Sequence, residues 1–412
     1  MASIKKRKDG TYRITVSNGR DIHGKQILET ATFKFDENKT KRQNEKALEK
    51  FVIDFETQVK EGKLLAGDKM TMGKYADIWM KDYAEKQYEP TTIEYTRDKL
   101  DRIILPAIGH YKISNILPLN IQKLYDSLLS AGHSASSIRR YHNILSSMFN
   151  SAVYWQLIKE NPCSRVKPPK IERSTDVKHF TLEEARTFLE YLDEPYTSKH
   201  GGRGKTADDK TDIRQEPLQL KVLFTLAING GFRRGELLAL TWEDIDFENN
   251  LIEINKSLAN TKENGTIIKA TKNKSSDRIV AVSGECIDML KALQTEQRKK
   301  RLLVGSAWQG KGNVFMQEDG SYMDTATPNH SLKRIIKRYN ATHEEKLPVI
   351  PFHGLRHTSA TLLIAQNNDI KTVSARLGHA DVSTTLDIYT HAIKKKDEEA
   401  SKSLEILFRK NA

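Results

Sequence analysis

Apolar residues recur every fourth position at Ala47, Phe51, Phe55 and Val59, which predicts one helix over 44–59. Ahead of it, 12–17 alternates apolar and polar residues as a half-buried strand does. Asn18-Gly19 has the composition of a tight hairpin turn, and a second strand-like run covers 27–35. The first block therefore reads as a small sheet with one helix. From 70 to 168 the spacing is three and four throughout. Stretches 71–83, 91–104, 118–129 and 134–157 each predict a helix, with Thr92 and Ser134 at N-cap positions. Arg139, Arg140, His142 and Lys159 fall on the polar face of this block. The prolines and charges of 162–175 cannot continue a helix and mark a boundary. Beyond it, 193–216 is polar and glycine-containing, a surface insertion by composition. Strand-like runs at 251–255, 266–270 and 277–282 precede helical patterning to the end. The expected fold class is mainly α with small β-sheets (α+β), in three domains spanning 1–65, 70–168 and 176–412.

Charge narrows the class of partner. The 412 residues hold 67 Lys and Arg against 54 Asp and Glu, a formal net charge of +13. Such a balance suits a polyanion, either nucleic acid or an anionic membrane surface. Hydrophobic residues at 38% exclude a mostly disordered chain. The two cysteines, Cys163 and Cys286, exclude a disulfide scaffold and a Cys-rich zinc site, and they suit a reducing cytosol. No apolar run approaches the roughly 18 residues needed to span a bilayer. The basic start has no apolar stretch behind it, so it does not read as a secretory signal. Within that start, Lys5, Lys6, Arg7 and Lys8 form either a solvated tail or a DNA-contacting arm.

Four separated segments of the third block carry chemistry. In Gly230-Gly231-Phe232-Arg233 the glycines allow a tight turn, and Arg233 starts a helix with Glu236 one turn on. Lys272 and Lys274 lie between two strand-like runs, at the tip of an expected hairpin. His353, Arg356 and His357, at i, i+3 and i+4, share one side of a helix start. Leu377-Gly378-His379 is followed by Tyr389. Histidines at i, i+4 also occur in zinc helices, but no acidic residue lies in that segment.

Together these segments, in this order, resemble the tyrosine recombinase family, the lambda-integrase type of site-specific recombinase. The resemblance implies catalytic roles for Arg233, Lys272, His353, Arg356, His379 and Tyr389. Tyr389 would attack phosphorus, leaving a 3′-phosphotyrosyl ester and a free 5′-hydroxyl. Arg233, Arg356 and His379 would donate to the phosphoryl oxygens, His353 would help take the tyrosine proton, and Lys272 would protonate the 5′-oxygen. Lys274 is the alternative for that last role; spacing to Arg278 favours Lys272. Glu236 would orient Arg233 or the local fold, and His357 would support. Arginine charge takes the place of a metal, and exchange of one ester for another needs no ATP, so no cofactor is expected.

The helical block is similar to a core-site-binding domain. The N-terminal sheet and helix are similar to the arm-site-binding domain of integrases from conjugative transposons and temperate phages, with Lys5, Lys6, Arg7 and Lys8 as expected DNA contacts there and Arg139 and Arg140 as expected DNA contacts of the helical block. The implied partners are double-stranded DNA at core and arm sites and a homotetramer on DNA, with an excisionase and a DNA-bending host protein as helpers. No membrane is involved, and the expected place is the bacterial cytoplasm at the nucleoid. The apolar run 403–408 would pack on its own domain or on a neighbouring protomer. A type IB topoisomerase and a catalytically silent DNA-binding regulator are the competing readings.

Overall fold

The computed structural model describes residues 2–20, 24–60, 70–171, 178–199, 211–270 and 277–379, with 381, 382 and 385. It is mostly helical with small sheets and divides into two compact units, Met1–Glu172 and Arg173–Ala412.

The first unit opens with an antiparallel meander, β1 (Ser3–Lys6), β2 (Tyr12–Arg20) and β3 (Gln26–Phe33). Strand pairing sets Ile4 opposite Ile14 and Lys6 opposite Tyr12 on one face, Lys5 opposite Arg13 and Ser3 opposite Thr15 on the other. Ile14 and Val16 are buried against Phe55 and Val59 of the Lys41–Lys60 helix. The basic run is therefore no loose tail: Lys5 and Lys6 are in a strand, and Arg7 and Lys8 sit in the turn closed by the Gly10 N–H to Arg7 O bond. The hairpin does not turn at Asn18-Gly19. Strand β2 runs through these residues to Arg20, which pairs with Gln26, and the register slips between Ser17 and Arg20. Gly19, at φ +84°, supplies the left-handed residue that such a bulge uses.

A separate apolar cluster follows, built on helices Met72–Trp79, Pro90–Lys99, Pro118–Ser130 and Ala135–Tyr154. Its largest side chains keep their polar tips paired: Tyr75 Oη donates to Met148 O (2.7 Å) and Trp79 Nε1 to Ser151 Oγ (3.0 Å). Ser134 caps its helix through the Ser137 N–H, as its position in the sequence predicts. Thr92 does not cap: Pro90, with no N–H to satisfy, takes the first helical position and moves the start back to Glu89. Arg139, Arg140 and Lys159 are exposed, but His142 is not on that polar face. It is half-buried, with Nδ1 2.8 Å from Tyr125 Oη, and burial followed by the Arg139 charge lowers its pKa.

In the second unit the Leu218–Gly230 helix is apolar nearly all round and buried, as a central helix must be. Helices Leu182–Tyr191, Gly284–Val304, Thr327–Thr342 and Phe352–Ala365 pack on it. The expected insertion over 193–216 closes at its base as a hairpin, β4 (Tyr196–Lys199) with β5 (Thr211–Arg214). Glu216 is no surface residue. Its carboxylate is buried and accepts from Arg334 and Arg338, each at 2.8 Å. Strands β6 (Ile245–Asp246), β7 (Leu251–Ile254), β8 (Lys256–Thr261), β9 (Gly265–Ala270) and β10 (Arg278–Ala281) form two ladders, β10-β7-β6 and β8-β9. The strands flanking Lys272 and Lys274 are therefore not a hairpin with each other: β9 pairs with β8, and β10 with β7. No described helix is long and apolar enough to cross a membrane.

Candidate active site

The Leu218–Gly230 helix ends at Gly231 in the left-handed region, φ +64°. A Cβ there would also lie 2.6 Å from Leu377 Cδ2, so glycine meets both demands. The turn delivers Arg233, extended, to the start of the Arg234–Ala239 helix. Its backbone N–H donates to Glu236 Oε2 (2.9 Å), its Nη1 to Glu236 Oε1 (2.7 Å) and its Nη2 to Gly378 O (2.7 Å). Glu236 thus holds Arg233 by both backbone and side chain.

Pro351 precedes the Phe352–Ala365 helix, whose first turns carry His353, Arg356 and His357. Arg356 is 2% exposed and donates to Gly231 O (2.8 Å) and Leu377 O (2.6 Å). Both acceptors lie at helix C-termini, where the macrodipole is negative, so the buried cation is partly compensated by backbone. The His353 and His357 rings meet edge to face, with centroids 4.7 Å apart.

The Ile370–Leu377 helix closes at Gly378, φ +67°. Three successive carbonyls at this end accept from three arginines: Arg376 O from Arg278 Nε (2.7 Å), Leu377 O from Arg356, Gly378 O from Arg233. His379 follows directly, its Nδ1 2.8 Å from the buried Thr385 Oγ1. Arg233, Arg356 and His379 are thereby gathered at one helix end, beside His353. Arg278 is the member that the sequence patterning passed over. A signal was there: Arg278, Val280 and Val282 alternate onto one face, and both valines are buried. An arginine on the buried side of a strand requires a buried partner, and Glu236 is that partner at 2.8 Å.

Partial burial, then the charges of Arg356 and Arg233, holds the His353 pKa below the usual imidazole value, while the residue as a whole stays exposed. Burial followed by Arg356 lowers His379 to about 4, and burial followed by His353 lowers His357 to about 3. His357 and His379 are neutral at pH 7, and the shift at His353 favours its neutral form. The two arginines differ in access, since the Arg233 side chain is 36% exposed. Arg233 can meet a ligand directly; Arg356 contributes mainly a buried charge. Lys272, Lys274, Tyr389 and the 403–408 run lie outside the described residues.

Two family models match the chain, the phage integrase family over residues 206–396 and the phage integrase N-terminal SAM-like domain over 71–129. A tyrosine recombinase XerC-like protein of Caldanaerobacter subterraneus subsp. tengcongensis is 31% identical over 414 residues, covering 96% of each chain. The fold is shared with the Tn1549 transposon integrase solved in complex with transposon right end DNA. That match has TM-score 0.62 and 21% identity, over 81% of this chain and 100% of the other. It is also shared with a lambda integrase tetramer bound to a Holliday junction, at TM-score 0.53 and 17% identity, over 92% and 95%. The chain belongs to the phage integrase family of tyrosine recombinases.

Proposed function

We propose that this chain is an integrase that cuts and rejoins double-stranded DNA at defined sites through a 3′-phosphotyrosyl intermediate, integrating and excising a mobile element. The observation that carries the reading is the convergence of Arg233, Arg356 and His379 on one helix end, beside His353. Such a cluster of positive charge and neutral imidazole suits a scissile phosphate. The Tyr389 oxygen bonds to phosphorus, the bond from phosphorus to the 5′-oxygen breaks, and the bond count is conserved. Neutral His353 accepts the phenolic proton, and Lys272 returns a proton to the leaving 5′-oxygen. Arg233 donates to the non-bridging oxygens while buried Arg356 stabilises the developing charge. His379 donates to phosphate from Nε2, which requires the tautomer in which Thr385 donates its hydroxyl proton to Nδ1.

Residues 176–412 serve as the catalytic region, 70–168 as the core-site-binding region, with Arg139 and Arg140 exposed for phosphate contact, and 1–65 as the arm-binding region. The open face of the N-terminal sheet supports the last assignment, since Lys5 and Arg13 are cross-strand neighbours there. Assembly is a homotetramer on DNA in the bacterial cytoplasm, with an excisionase and a host DNA-bending protein as helpers on the family resemblance alone.

A nicked suicide substrate tests the reading. Attack should release a short 5′-hydroxyl fragment and trap the protein covalently on the 3′-phosphate, in excess EDTA. Cleavage that leaves no covalent protein, or that depends strictly on a divalent metal, contradicts it.

A further inference from the structure

One buried carboxylate, 3% exposed, stands between two guanidinium groups. Glu236 Oε1 accepts from Arg233 Nη1 at 2.7 Å and from Arg278 Nη1 at 3.2 Å, and Glu236 Oε2 accepts from Arg278 Nη2 at 2.8 Å. Arg278 is 7% exposed and is also fastened by Nε to Arg376 O at 2.7 Å. Its guanidinium lies close enough to Gly378 that a Cβ there would sit 3.0 Å from Nη1. Arg376 in turn donates to Asn229 O (3.0 Å) and Ala281 O (2.8 Å), tying the same helix end to strand β10 and to the central helix.

We propose that Arg278 is a positioning residue of the cleavage reaction: it shares Glu236 with Arg233, so that Arg233 keeps its charge and its donors for the scissile phosphate. The inference rests on the recombinase reading above. Arg278 is too enclosed to serve as a phosphate ligand. Its effect is through Glu236. With Arg278 present, two cations face one carboxylate and a net positive charge remains at the site. Without it, the buried carboxylate has Arg233 as its nearest cation and offsets its charge, so the Arg233 N–H groups not already given to Glu236 and Gly378 O meet the phosphate with a weaker positive potential. The hydrogen bond to Arg376 O places this balance at the helix end that also holds Gly378 and His379.

The test uses the full chain and single-turnover cleavage of a suicide substrate. Arg278→Gln should slow cleavage on the order of ten- to a hundredfold, the scale of a missing charge-assisted interaction, with non-covalent DNA affinity unchanged. Adding Glu236→Gln to Arg278→Gln should recover most of that loss, because no lone carboxylate then opposes Arg233. On a substrate with a methylphosphonate at the scissile position, which carries no charge, the gap between parent and Arg278→Gln should shrink. A purely structural role would slow both substrates equally and would not respond to Glu236→Gln; either result overturns the proposal, as does cleavage at the parent rate. If Arg278→Gln does not fold, Arg278→Lys retains the charge. A lysine cannot reproduce the paired contact, but the retained charge should keep cleavage within about tenfold of the parent, and a larger loss overturns the proposal. Tyr389→Phe, run alongside, keeps the two claims apart. A covalent adduct persisting on that variant overturns the recombinase reading, whereas its loss with Arg278→Gln at full rate overturns this inference alone.

Discussion

His353, His357 and His379 share a site with at least three guanidinium groups, and each is held neutral for a reason that a pH titration can separate. Burial and neighbouring positive charge both penalise the imidazolium, so the folded pKa lies below the unfolded value of 6.5, at about 4 for His379 and about 3 for His357. Between the folded and unfolded values the unfolded chain binds more protons, so stability is full above about pH 6.5 and is lost as pH falls toward 4 and then 3. Thermal melts of the parent should decline over that window, and His357→Gln should flatten the decline; an unchanged slope contradicts the burial account. On the proposed mechanism, with His353 as the free base, the acidic limb of cleavage should have its midpoint below the ordinary imidazole value of 6.5. The identities of these histidines were legible in the sequence: i, i+3 and i+4 spacing sets His353 and His357 beside Arg356 on one helix side, and His379 stands directly after a Leu-Gly helix end. Their neutrality was not, because it depends first on burial, then on Arg233 reaching His353 from another segment and on Arg356 and Arg233 reaching His379.

At the scale of the element, the end of the Ile370–Leu377 helix does the organising. Its last carbonyls are left without helix partners, and arginines from three other segments fill them. Gly378 is what lets the chain turn there, at φ +67° with Arg278 packed against it. Gly378→Ala should therefore cost about 1–2 kcal/mol, read as a lower denaturation midpoint, and should slow cleavage through displaced Arg233 and His379. Unchanged stability and rate contradict the helix-end account. Elements with a strong local signal, such as the four-residue apolar repeat 47–59, were legible. Those settled by competition were not. Pro90 displaced Thr92 from the helix start, the bulge at Gly19 absorbed an Asn-Gly pair that reads as a turn, and the lysine segment joins two ladders because β9 found β8 and β10 found β7.

For the whole molecule, the net charge of +13 predicts a polyanionic partner but not where it binds. Pairing of β1 with β2 supplies one candidate surface for the proposed arm contact: Lys5 and Arg13 stand side by side on the face away from Ile14. The pairing of Arg13 with Lys5 was hidden in the sequence because it depends on a first strand that the basic composition of the N-terminal run masks. The double variant Lys5→Ala with Arg13→Ala should melt like the parent, bind arm-site DNA more weakly, and bind core sites normally. Its log–log salt slope on arm DNA should be shallower by about 2, at roughly 0.9 for each phosphate no longer neutralised. Equal salt slopes on arm DNA contradict a DNA-facing sheet. The central claim, that this fold cuts DNA with a tyrosine, is tested most directly by mapping the trapped adduct. Suicide-substrate complexes digested with protease and analysed by mass spectrometry should yield one DNA-linked peptide, joined through the phenolic oxygen of Tyr389 to a 3′-phosphate. A link to any other residue, or an adduct of the same yield from Tyr389→Phe, would contradict it.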